Sequence, residues 1–318
     1  MKASFKVKDL IEFLNNTDLQ ELNESIDELE KESDKIFEEE NAAIDSEIIE
    51  EIEKMSAEEF VWFAFLHANF LRGKSIFSNN AFKRFIDYCK KEKNNYYFNE
   101  FPQGDFLPKL RFQRARSIEK VLQQLRSEYK SGHDFVNEIE KLAARTTMNE
   151  IYELYLELII KFTSYKQVGG KIANAIINEL LYEISILIKN NKTEIAENFL
   201  KNEWLRNLLF ASFFNIMIDT HVKNFFNEKL GVKNVDPLIL IFIGKSMKAE
   251  VVKSLFERYF KYYNWIKEVE KEFLLTNYHE YIGVRILGQM IWGAYFVQDN
   301  KRIDLKIVKL SKGLFQKP

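Results

Sequence analysis

The stretch YKQVGGKIANAI, residues 165–176, places two adjacent glycines and a lysine between one apolar periodic segment and the next. Residues 147–163 carry apolar side chains at helical spacing and end just before it. A second helix is expected from Lys171 to about Asn190, with Ile172, Ala173, Ile176, Ile177 and Leu180 on its apolar side. The layout is helix, short turn, helix. Glycines let the backbone approach a ligand closely, and the N–H groups opening the second helix point at an anion, for which a DNA phosphate is the obvious candidate. Read on these residues alone, V-G-G-K is also a plain inter-helix turn.

The rest of the chain agrees with a helical fold. Its 318 residues are 46% apolar, with only 4 Pro and 11 Gly, a composition for long helices and not for a strand-rich protein. The expected class is all-α. Residues 57–72 (AEEFVWFAFLHANFLR) open after Ser56, an N-cap with Glu59 in capping-box position, and carry aromatics on more than one face, as a buried helix does. Residues 80–93 read as a basic amphipathic helix and 94–109 as a loop. Residues 116–132 read as a helix ending at Gly132, beside the most basic stretch of the chain, which holds Lys109, Arg111, Arg114, Arg116 and Lys120.

The net charge of −2 conceals a segregation. Residues 1–60 hold 6 Lys and Arg against 20 Asp and Glu, while residues 61–318 hold 40 against 28. A basic body suits a polyanion; the acidic segment is either a solvated helix face, with pairs such as Glu28 and Lys31, or a competitor for the basic surface. The single cysteine, Cys89, excludes an internal disulfide and any four-cysteine zinc or iron–sulfur site. His67, His133, His221 and His279 share no metal-ligand spacing, so neither metal nor cofactor is expected. The N-terminus has no apolar export core and no 18-residue stretch is free of charge, which makes the expected protein cytoplasmic, with no membrane partner. P-loop, G-x-G-x-x-G, G-x-S-x-G and H-E-x-x-H motifs are missing.

A second motif lies downstream in FNIMIDTHVKNFFNEKLGV, residues 214–232. Asp219 stands at the N-cap of a helix expected from Thr220 to about Leu230 and ended by Gly231. Together, Val168, Gly169, Lys171, Ala173 and Asn174, followed by Ile218, Asp219, Thr220, His221 and Val222, resemble the helix–hairpin–helix DNA glycosylases, the superfamily of endonuclease III and the 8-oxoguanine glycosylases. FVWFAFLHANF (60–70) looks like the family's helix into its DNA-wedging loop, FQRARSIEKVLQQL (112–125) like the helix before the hairpin, and the order of pieces matches over roughly residues 55–230.

The resemblance implies a two-lobed helical architecture: an acidic segment 1–59 packing with the C-terminal lobe, a central lobe 60–165, and 166–318 with the hairpin, inserted helices and the C-terminal helices. It implies a bifunctional DNA N-glycosylase and lyase, acting as a monomer on double-stranded DNA that contains a damaged base. Lys171, expected partly buried at its helix N-terminus, would supply the nucleophilic amine, and Asp219 the carboxylate that stabilises a cationic sugar. Val168, Gly169, Gly170 and His221 would contact DNA. Asn69 would fill the space of the extruded base, with Arg72 beside it; as residues alone, Asn69 is also an ordinary loop asparagine. Gln289, Trp292 and Phe296, on one helical face, would form the base pocket, unless this aromatic stripe is core.

Three departures from the family pattern matter. The family's L-P-G is Tyr165-Lys166-Gln167 here, so a hairpin glycine is missing. Lys171 and Asp219 are 48 residues apart, which requires an added helix or two within 182–213. The iron–sulfur cysteines of endonuclease III are absent, which turns the resemblance toward the cluster-free branches and 8-oxoguanine. A different class of reading also stands: a helical DNA-binding or protein-interaction module that keeps the hairpin without catalysis.

Overall fold

The computed structural model describes residues 2–16, 18–20, 23–24, 27, 31, 46–70, 75–107, 113–215, 218, 220–233, 235–259 and 263–299. Every regular element among them is helical, and none of these helices is long and apolar enough to cross a membrane. The chain divides into two compact units, one of residues 40–215 and one joining 1–39 to 216–318.

The first unit is built around α2 (Ala57–Phe70), after α1 (Lys2–Asn16) in the chain. Its start is the capping box read from sequence: Glu59 N–H donates to Ser56 Oγ at 3.2 Å and Ser56 N–H to Glu59 Oε2 at 2.9 Å. From Phe60 to Phe70 every residue is buried. A helix apolar on all sides needs partners on all sides, and α2 has them in α3 (Ser75–Glu92), α4 (Gln113–Glu128), α5 (Gly132–Ala144) and α7 (Gly170–Lys189). Helices α6 (Ile151–Thr163), α8 (Thr193–Leu200) and α9 (Glu203–Ala211) complete the unit, the last two in the stretch where added helices were expected.

Gly132 does not end α4. That helix stops at Glu128, and Gly132 opens α5 behind the Ser131 N-cap, whose hydroxyl accepts from Asp134 N–H. The glycine is there for space: a Cβ would stand 2.6 Å from Trp62 Cε2. Trp62 is held in place by its own Nε1–H donating to Tyr96 O at 2.8 Å. Residues 94–107 form the expected loop, but an ordered one, with Tyr96, Tyr97, Phe98, Phe101 and Phe106 buried under the helices.

The acidic N-terminal region does not stay with the C-terminal helices as a whole. Residues 46–52 are helical and lie within the 40–215 unit, where Glu47 pairs with Lys83 at 3.0 Å, Glu51 with Lys90 at 3.1 Å and Glu53 with Lys192 at 2.6 Å. The boundary expected at 165/166 falls inside this unit, because α7 packs along α2. Glu28 lies outside the described residues.

In the second unit α14 (His279–Asp299) is central, against α10 (Thr220–Leu230), α11 (Pro237–Ser246), α12 (Ala249–Tyr259) and α13 (Glu268–Asn277). Helix α1 joins it: Asn15 donates to Ser246 O at 2.7 Å and accepts from Lys248 N–H at 2.8 Å. Helix α10 ends as expected at Gly231, whose φ of +68° is the left-handed value that glycine adopts without cost.

Candidate functional site

The hairpin turn joins α6 to α7. Val168 N–H donates to Tyr165 O at 3.0 Å, closing a four-residue turn with Gln167 at its third position. Gln167 has φ +73°. Gln167 therefore adopts the conformation for which glycine is the usual choice. The turn is anchored from α4, where Gln124 Oε1 accepts from Lys166 N–H at 2.8 Å. Val168 and Tyr165 are buried beneath it. A residue with a Cβ is strained in this region by about 1 kcal/mol, and a β-branched one by more. Gln167→Gly is accordingly expected to leave the 40–215 unit as stable as the natural protein or up to about 1 kcal/mol more stable, and Gln167→Val to destabilise it, in thermal unfolding.

Beyond the turn the backbone opens outward. Gly169, extended at φ −87° and ψ 174°, is the N-cap of α7, and Gly170 is its first residue. Both are exposed, and a Cβ added to either would meet nothing within 4 Å. The first N–H groups of α7 lack intrahelical acceptors by position. Lys171 follows. It is exposed, not partly buried as expected, because its side chain leaves the helix opposite Ile172 and Ala173, which enter the core. Asn174 braces this turn: its Nδ2–H donates to Gly170 O at 2.9 Å, its Oδ1 accepts from Tyr155 OH at 2.9 Å, and its backbone carbonyl accepts from Asn215 Nδ2–H at 2.9 Å. What the hairpin offers is an open backbone, a helix N-terminus and a free-standing primary amine within three residues.

Other expected site residues fare differently. Asn69 is not in a loop. It occupies the last turn of α2, fully buried, with Nδ2–H donating to Phe65 O at 2.8 Å, so it presents nothing to a solvent-borne ligand. The apolar run of α2 simply continues past it. Arg72 and Asp219 lie outside the described residues, as do the side chains of His221, Gln289, Trp292 and Phe296, whose backbones are in α10 and α14. Of the basic stretch, Arg116 and Lys120 are exposed on α4, and Lys109 and Arg111 lie outside the described residues.

Sequence reading missed a polar cluster in the core. His67 of α2 and Glu179 and Glu183, one turn apart on α7, are 2%, 3% and 0% exposed. The His67 Nδ1 stands 2.9 Å from Glu179 Oε1 and 3.1 Å from Glu183 Oε1. The imidazole stacks on Phe82, with centroids 4.2 Å apart and planes at 12°. Burial on its own would lower the His67 pKa, but the two carboxylates outweigh it and hold the imidazole charged. Burial pushes Glu183 up and Glu179 adds to this, against the pull of His67. A signal was present in NELLYEISILI: two acids four residues apart on a helix with no continuous polar stripe, facing a lone histidine in an aromatic helix. A cavity of about 20 Å³, lined by Phe65, Leu158, Ile176, Leu180 and Leu208 among others and by none of these three residues, is apolar and offers no reacting group.

Compared with family models, with curated proteins and with solved structures, the chain matches none.

Proposed function

We propose that this chain is a DNA repair glycosylase with lyase activity, removing an oxidised base, 8-oxoguanine by preference, from duplex DNA. The observation that carries the reading is the hairpin: Gln167 in a left-handed conformation at the family's glycine position, then exposed Gly169 and Gly170, then the exposed amine of Lys171. The backbone amides would hold a DNA phosphate and bring C1′ of a damaged nucleotide to Lys171. The amine nitrogen attacks C1′ as the C1′–N bond to the base breaks, and the Asp219 carboxylate offsets the positive charge that develops on the sugar. The C1′–O4′ bond of the resulting N,O-acetal then breaks to leave an iminium, O4′ taking up the proton that the lysine nitrogen sheds, and loss of a C2′ proton with cleavage of the C3′–O bond expels the 3′-phosphate and cuts the strand. Gln289, Trp292 and Phe296 would hold the extruded base, with His221 and Arg72 on the DNA.

Borohydride reduces the iminium to a stable amine and so tests the assignment. With an end-labelled duplex containing one 8-oxoguanine, the natural protein is expected to give a trapped adduct that Lys171→Gln lacks. An adduct on an abasic duplex alone would retain the lyase and shift the substrate to another damaged base. With no adduct on either duplex, the enzyme reading fails and a DNA-binding module without catalysis takes its place.

A further inference from the structure

The buried cluster of the 40–215 unit carries an inference independent of DNA chemistry. Two carboxylates and one imidazole are sealed between α2 and α7, against Phe82 on the ring face. Ionised together, the two carboxylates carry one negative charge more than a protonated His67 offsets, an excess that an apolar interior tolerates only if a further proton or another cation joins the set. The donors are also incompletely used. Among the described residues Glu183 Oε2 has no hydrogen-bond donor, and Glu179 Oε1, though 2.9 Å from Nδ1, lies outside hydrogen-bond geometry. Both atoms are buried lone-pair donors, and Glu179 Oε1 and Glu183 Oε1 converge on Nδ1.

We propose that His67, Glu179 and Glu183 bind one divalent transition-metal ion, with zinc and manganese best matched to one nitrogen and two carboxylate donors. One ligand atom from each residue lies within 4.8 Å of the others. Around an ion with bonds of about 2.1 Å, tetrahedral ligand atoms stand about 3.4 Å apart, so separations of 2.9 and 3.1 Å open by a few tenths of an ångström to admit it. The ion takes the place of the Nδ1 proton, and with a neutral imidazole and two carboxylates the site is electrically balanced. Glu183 Oε2 becomes available for a second bond to the metal. Among the described residues His67 Nε2 has no partner whether Nδ1 holds a proton or a metal, so it favours neither state. The ion would fasten α7, the helix that begins at the hairpin, to the central α2.

The full-length chain, stripped with a chelator and dialysed, is titrated with zinc or manganese and its metal content measured. One equivalent per chain is expected to remain after gel filtration, and the melting temperature to rise by roughly 5–10 °C at metal 100-fold above Kd. The isosteric Glu179→Gln and Glu183→Gln variants are expected to lose both effects, while Glu194→Gln, on α8, keeps them. Should the core variants not fold, pulsed electron paramagnetic resonance of the manganese-loaded natural protein decides: coupling to one imidazole nitrogen is expected, and its absence overturns the site. Failure of the natural protein to retain metal, or equal retention by the glutamine variants, also overturns it.

Discussion

With chelator present, His67→Leu is expected to cost the 40–215 unit about 3–5 kcal/mol, while the triple variant His67→Leu, Glu179→Met, Glu183→Met recovers most of that loss. The single substitution leaves two carboxylates, 3% and 0% exposed, with no cation between them, and breaking a buried ion pair by removing one partner costs about that much. The leucine adds apolar burial worth about 1–2 kcal/mol, too little to offset two buried carboxyl groups that lose the imidazole and must either protonate or stand uncompensated. The triple variant removes the charges together and fills similar volume, an exchange that is often neutral or stabilising. Hydrogen exchange of the α2 and α7 amides reads the effect within this unit alone. If single and triple variants lose equal stability, packing of the ring on Phe82, not charge, is what His67 contributes.

The same cluster shows where local sequence chemistry stops being informative. The Ser56 and Glu59 capping box, the start of α7 to within one residue of Lys171 and the end of α10 at Gly231 were readable, because caps and left-handed glycines are decided by residues within one turn. The all-helical class follows from composition and the 3.6-residue period in the same way. Glu179 and Glu183 were legible only as two acids four residues apart on a helix without a polar stripe, and their burial was not, since a charged residue on a helix is normally solvent-facing. The packing of α7 along α2, which brings His67 to them, is what encloses them, and it depends on contacts distant in sequence. Asn69 and Gly132 failed for a related reason. A polar residue near a helix end and a glycine after a periodic segment resemble loop and cap signals, whereas their positions are dictated by the buried course of α2 and by the Trp62 ring. Lys171 lies in the first turn of α7 and is exposed instead of partly buried, because burial depends on neighbours distant in sequence.

In the unit of 1–39 and 216–318, the largest single effect is expected from Gly244→Ala, a loss of about 3 kcal/mol or more. Alanine is otherwise the better helix former by about 1 kcal/mol, so on propensity the change would stabilise α11. Sterics reverse the sign. A Cβ at Gly244 would lie 2.0 Å from the backbone oxygen of Glu280 and 2.8 Å from Val284 Cγ2. The first of these is main chain of α14, which cannot swing aside, so the two helices must separate; overpacking of this kind typically costs 1–3 kcal/mol and more where backbone must move. Gly283 on α14 lies in the same crossing and supplies the control. Its added Cβ would meet Met247 Sδ at 3.2 Å and Val252 Cγ2 at 3.3 Å, side-chain atoms that yield by a few tenths of an ångström. Gly283→Ala is therefore expected within about 1 kcal/mol of the natural protein, the helix propensity gained roughly balancing the crowding. Hydrogen exchange of the α11 and α14 amides separates the two variants, and equal losses in both would mean that α11 and α14 do not cross on these glycines.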